Sequence, residues 1–310
     1  MPEPVISVRG LRKSYGDLEA VRGIDLEVAG REIFAFLGPN GAGKTTTVEI
    51  LEGYRERTSG DVSVLGVDPS RSDHDWRQRI GIVLQDSRMH PELTVRESVE
   101  LFAGYYRAPR GVDETVDLVG LTDKADDRVA RLSGGQQRRL DVALALIGDP
   151  ELLFLDEPTT GFDPSARRHA WEVIASLRDL GKTIFLTTHY MEEAQELADR
   201  VAIIAGGRIV AEGAPAELTH RDHRAAMIRF RLPDAVAVTE LPDGLVADTG
   251  AAPVNGEIRI RAEDPVRALH ELTAWAIGRG IPLRELEVRL PHLEDVYLEL
   301  TEDAPEEVPR

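Results

Sequence analysis

The sequence has 310 residues, 42% hydrophobic and 30% charged, enough for a large domain with a smaller appendage, and two unequal domains are expected. Its formal net charge of -18 argues against broad binding to nucleic-acid phosphates, which calls for a basic footprint. There is no cysteine, so disulfide frameworks and thiolate metal sites such as zinc fingers are excluded.

From Met1 onward no basic stretch leads into an apolar run of signal-peptide length. No window approaches the roughly 20 apolar residues that span a bilayer, so a cytoplasmic location is expected. Between residues 5 and 212 short β-branched runs alternate with helical stretches and Gly-rich turns, the rhythm of strands joined by crossover helices in a mainly parallel sheet. Residues 33–37, 80–84, 152–155 and 183–187 are the best strands. Each is apolar at consecutive positions, as expected where helices cover both faces of a sheet. A helix-rich stretch, about 86–150, reads as an inserted helical subdomain, with Thr94 and Glu97 at capping-box spacing.

Gly206 and Gly207 between residues 201–204 and 208–211 predict a tight hairpin. Beyond about Thr219 the pattern changes: residues 228–232 and 257–261 alternate apolar with charged, as half-exposed strands do. A helix at 265–277, a strand at 283–290 and a helix at 293–300 complete a small α+β module over 221–302, followed by an acidic tail, 303–310. Residues 233–256 read as loop or weak strand.

Three segments carry chemistry. Gly38-Pro39-Asn40-Gly41-Ala42-Gly43-Lys44-Thr45 fits the phosphate-loop pattern between a strand and the helical run that begins at Thr46. There the loop amides and the helix N-terminus would cradle phosphates. Lys44 would reach the β- and γ-phosphates, and Thr45 would hold Mg²⁺ through its hydroxyl. Asp156 and Glu157 end the run 152–155, suited to metal binding and to general-base activation of water respectively. Ser133-Gly134-Gly135-Gln136, after Leu132, has capping-box spacing and reads as a second anion-binding helix start. Two such starts in one chain suggest that each serves half of a site composed across a dimer.

The ordered set GPNGAGKT, Gln85, LSGGQ, LLFLDE, Asp163 and His189 resembles the nucleotide-binding domain of ABC ATPases, over about residues 5–220. The resemblance implies a P-loop NTPase fold of α/β class, with a mainly parallel core sheet, antiparallel β elements, the helical subdomain and the C-terminal α+β domain. ATP and Mg²⁺ are the implied cofactors. The implied partners are a second copy stacked head to tail and a membrane-spanning permease on the cytoplasmic face, and no nucleic acid. It further implies that Tyr15 stacks on adenine and that Gln85 senses Mg²⁺ and the attacking water. Ser133 and Gly135 would contact the γ-phosphate held by the other copy's Lys44. His189 would hold Glu157 and the water in line, and Asp163 would communicate with the opposite site. Phe162 stands where that family usually has leucine.

The segment 291–301 resembles the C-terminus of daunorubicin-resistance type export ATPases; as a bare pattern it is an amphipathic helix with Leu293, Val296, Tyr297 and Leu300 on one face. An ATPase that energises export of drug-like or lipophilic molecules is the expected function. An importer subunit, which would differ in partner and tail, is the alternative. Translation- or chromosome-associated ATPases would carry duplicated motifs or a long coiled-coil insertion, neither of which is here, and a non-catalytic relative would lack Glu157 or His189.

Overall fold

The computed structural model describes residues 3–84, 90–220, 226–233, 236–242, 245, 257–262, 264–289 and 292–301. Its elements run β1 (Ile6–Tyr15), β2 (Leu18–Val28), β3 (Ile33–Leu37), α1 (Lys44–Leu51), β4 (Ser59–Val64), α2 (His74–Arg77) and β5 (Ile80–Val83). The helical stretch holds α3 (Val95–Ala103), α4 (Val112–Leu118) and α5 (Gly134–Leu146). Then come β6 (Leu152–Asp156), α6 (Pro164–Asp179), β7 (Thr183–Thr187), α7 (Met191–Leu197), β8 (Arg200–Ala205), β9 (Arg208–Gly213) and α8 (Pro215–His220). The last elements are β10 (Ala226–Arg231), β11 (Glu257–Ala262), α9 (Pro265–Arg279), β12 (Arg284–Arg289) and α10 (Leu293–Thr301).

The chain divides into two compact units, Met1–Pro215 with Tyr297–Arg310, and Ala216–Val296. The division falls at the start of α8 and within α10. In the first unit a six-stranded sheet has the order β5-β6-β7-β3-β8-β9, parallel throughout except for the final β8–β9 hairpin. That hairpin turns on Gly206 and Gly207, whose φ values of 53° and 77° lie in the left-handed region that side chains disfavour. A second sheet, β2-β1-β4, is antiparallel.

Alternation along the buried strands separates two cores, because successive side chains of a strand point to opposite faces. Ile33, Leu153, Leu155, Ile184 and Leu186 join the helices of the inserted subdomain and α6. Phe34, Phe36, Leu152, Phe154 and Phe185 face the antiparallel sheet and α1. On that side Phe185 packs its ring 5.7 Å from those of Phe34, Phe36 and Phe154. Burying one such ring contributes about 2 kcal/mol or more, so these apolar runs are held from both faces.

The helices begin where their sequences satisfy the free amides. Thr94 and Glu97 form a reciprocal capping box at α3, and Ser133 and Gln136 form one at α5. Asp163 caps α6 by accepting from the amides of Ser165 and Ala166, each at 2.9 Å. In the second unit β11-β10-β12 form an antiparallel sheet. Ile228, Phe230, Ile258 and Ile260 pack with Ala268 and Leu272 of α9. Most strands start or stop one or two residues from the boundaries read in the sequence; Leu84, for example, lies beyond β5. Among the described residues of 233–256 the regular element is a 3-10 turn, Val238–Glu240.

Candidate functional site

Strand order builds the site. Because β7 lies between β6 and β3, the carboxyl ends of three neighbouring parallel strands converge, the place where open α/β sheets bind ligands. From β3 the chain enters the loop 38–43 and then α1. Gly43 has φ 102°, and a Cβ there would meet the Ala20 carbonyl oxygen at 2.5 Å; at Gly38 it would lie 2.3 Å from the Ile204 oxygen. At these two positions a side chain would collide with backbone, so glycine lets the loop pass close against β2 and β8. Lys44 Nζ donates to the carbonyls of Gly38 at 2.5 Å and Pro39 at 3.1 Å. Burial pushes the Lys44 pKa down, against the pull of Glu157 and Asp156, which raise it.

At the end of β6, Asp156 accepts a hydrogen bond from the Thr187 hydroxyl at the end of β7. Glu157 follows with φ 46°, a left-handed conformation that costs a non-glycine residue about 1–2 kcal/mol. Its amide donates to the Thr187 carbonyl at 3.0 Å. Its carboxylate accepts from Thr160 Oγ1 at 3.1 Å and stands 3.2 Å from Nδ1 of His189. The His189 ring is about half exposed and lies 4.0 Å from that of Tyr190. Lys44, Asp156, Glu157 and His189, read as separate motifs in the sequence, thus surround one place.

Elsewhere the site residues divide. Tyr15 ends β1 and is 40% exposed, and the Lys13 and Arg55 cations lie 5.0 and 5.4 Å from its ring centroid. Thr45 is exposed and Thr46 partly so, on the first turn of α1. Ser133, Gly135 and Gln136 line a separate nook of about 310 Å³ with Asp163, to which no residue of the loop 38–45 contributes. Gly134 has open space where a side chain would project. Gln85 lies outside the described residues.

Several residues here carry little or no signal in the linear sequence. Arg138, one turn into α5, donates to the carbonyls of Leu84, Asp156 at 2.5 Å, Pro158 at 3.2 Å and Glu157 at 3.3 Å. It ties the helix capped by Ser133 to the ends of β5 and β6. No local pattern marks it, since arginine near a helix start is ordinary on a surface. Thr187 and Thr160 had a weaker signal, a hydroxyl beside a buried strand end. Glu52, at the C-terminal end of α1, is buried, and its pKa is pushed up to about 8 by burial first and by the charges of Asp156 and Glu49 next. Among the described residues no group of three or more His, Cys, Asp or Glu could hold a metal by itself.

The profile of the ABC transporter family matches residues 21–160, and that of the C-terminal domain of ABC transporter domain-containing-like proteins matches residues 226–291. The Nod factor export ATP-binding protein I of Burkholderia orbicola is 43% identical over 96% of each chain. The daunorubicin resistance ATP-binding protein DrrA3 of Streptomyces coeruleorubidus is 39% identical over 98% of each. Among solved structures, cbiO1 of Clostridium perfringens, part of the cbiONQ transporter complex, superposes with a TM-score of 0.66 at 28% identity, over 71% of this chain and 92% of its own. A dimeric ATP-binding cassette holding ADP and Pi after hydrolysis gives 0.60 at 26%, over 67% and 98%. Full-length identity of this order, on a fold that gathers Lys44, Glu157 and His189 at one sheet edge, establishes that the chain belongs to the ABC transporter family as an ATP-binding, ATP-hydrolysing subunit.

Proposed function

We propose that this subunit drives export, hydrolysing ATP between two copies stacked head to tail beneath a membrane permease. The observation that carries the catalytic part is the Glu157 carboxylate, held between the Thr160 hydroxyl and His189 at the sheet edge beside Lys44. Glu157 acts as general base for the attacking water, with His189 holding it in line. Lys44 and the backbone amides of the segment from Gly38 to Thr46, apart from Pro39, which has no N–H, cradle the phosphates, and Tyr15 offers a ring for adenine.

Mg²⁺ takes few protein ligands and keeps waters and phosphate oxygens, so the donor set here fits it: the Thr45 hydroxyl and the Asp156 carboxylate, with Gln85 as a further candidate. When bound, the ion would neutralise charge developing on the phosphates. Ser133, Gly134, Gly135 and Gln136 serve the nucleotide of the other copy. Their nook is separate from the chain's own phosphate loop, which supports a composite site, and Asp163, which lines the same nook, is the residue that reports between the two.

An apolar groove of about 240 Å³, with Leu84, Leu101 and Phe102 exposed along it, is the surface assigned to the permease. Among the described residues no helix is long and apolar enough to cross a membrane, so attachment at the cytoplasmic face is assigned to that partner. Export, with drug-like or lipophilic cargo, is supported by the names of the full-length relatives, a Nod factor exporter and a daunorubicin resistance protein.

Glu157→Gln tests the reading. It is expected to bind ATP, to lose turnover by about a hundredfold or more and to accumulate an ATP-dependent dimer on size exclusion. Turnover at the wild-type rate removes Glu157 from the role of base.

A further inference from the structure

Glu193 lies on α7, four residues after His189, and is fully buried. Its Oε1 accepts two hydrogen bonds, from the Thr159 hydroxyl at 2.9 Å and from the Trp171 indole N–H of α6 at 3.0 Å. The other oxygen is buried without a well-formed bond of its own, beside the Thr188 hydroxyl, and Arg167 of α6 is a cation that faces the group. A buried carboxyl is costly to desolvate. A leucine would fill the space at less cost, so what the carboxyl adds is two directed bonds.

Those bonds reach the catalytic segment through consecutive threonines. Thr159 is held by Glu193, while Thr160 donates to Glu157 at 3.1 Å, and Glu157 in turn meets His189 at 3.2 Å. Thr188 and His189 lead into α7, so the contacts close a ring from Glu157 through Thr160 and Thr159 to Glu193 and back along the chain to His189.

We propose that Glu193 is a positioning residue: by fixing Thr159 it sets where Thr160, and with it the Glu157 carboxylate, stands against His189. The inference rests on Glu157 acting as the base. A small displacement of a base that must hold one water in line is expected to lower turnover and leave nucleotide affinity alone.

The test compares steady-state ATPase kinetics and melting of the full chain for Glu193→Ala, Glu193→Gln and Thr159→Val. Glu193→Ala is expected to lower kcat by about ten- to a hundredfold with KM for ATP within about twofold. Glu193→Gln, whose amide oxygen accepts the same two bonds, restores most of kcat. Thr159→Val keeps volume and loses one bond; it lowers kcat with little change in melting and shifts the imidazole NMR resonances of His189. If Glu193→Ala does not fold, Thr159→Val decides. Wild-type kcat in Thr159→Val, with His189 resonances unmoved, overturns the inference while leaving the ATPase reading intact. A KM that rises with kcat unchanged, or Glu193→Gln as impaired as Glu193→Ala, also overturns it. A Glu157→Gln variant that turns over at the wild-type rate overturns the reading itself, and the His189 resonances still report whether Glu193 positions the cluster.

Discussion

Glu52 makes the stability of this protein depend on pH in a calculable way. Its carboxyl is buried near Asp156 and Glu49, and its pKa is raised from 4.5 to about 8. An acid whose pKa is higher in the folded than in the unfolded chain binds its proton more tightly when folded. The stabilisation is therefore complete below the unfolded value and is lost as pH rises through the folded one. Between the two values stability falls by about 1.4 kcal/mol per pH unit. From about pH 6 to about pH 9 the loss comes to about 2.7 kcal/mol, since the slope flattens near the folded pKa. For a unit of roughly 200 residues that is a fall of about 5–11 °C in Tm. Glu52→Gln carries no such proton and lacks this part of the slope. Thermal melts of the nucleotide-free wild type and variant across that range should converge at the acid end and separate by about this amount at the alkaline end. Parallel curves would show that Glu52 does not titrate with a raised pKa, and the reasoning from burial would fail.

Two further outcomes concern the phosphate loop. Lys44→Ala is expected to weaken ATP binding at least about tenfold, roughly 1.4 kcal/mol, because it removes the half-buried amine proposed to hold the phosphates; an unchanged Kd in a calorimetric titration would contradict this. Gly43→Ala forces a side chain onto φ 102° and into the Ala20 carbonyl, 2.5 Å away, and should cost about 1–3 kcal/mol in a denaturant melt while deforming the cradle. An unshifted melt with intact ATP binding would show that the loop relaxes freely.

Much of the site was legible because each motif is local. Ser133 and Gln136, or Thr94 and Glu97, announce a helix start since the two side chains satisfy that helix's own first amides, at a spacing set by one turn. The runs at β3, β6 and β7 announce buried strands because helices or a second sheet cover both their faces. The phosphate loop is readable for the same reason, its glycines being required by backbone geometry within a few residues.

What no window of sequence contains is who stands next to whom. The order β6-β7-β3 brings Lys44, Glu157 and His189 together across more than a hundred positions, and strand order follows from how whole faces are buried. Arg138 bonding the carbonyls at the end of β6, Glu52 driven to a high pKa and Glu193 enclosed between α6 and α7 are ordinary polar residues in the linear text. Desolvation gives them their character, and desolvation is a property of the packed chain. Caps, glycine turns and apolar strands can be read from the linear chain, because the backbone satisfies those at short range. Which charges are buried and which strand ends meet emerges in the folded chain alone, because burial sums over residues far apart in the sequence.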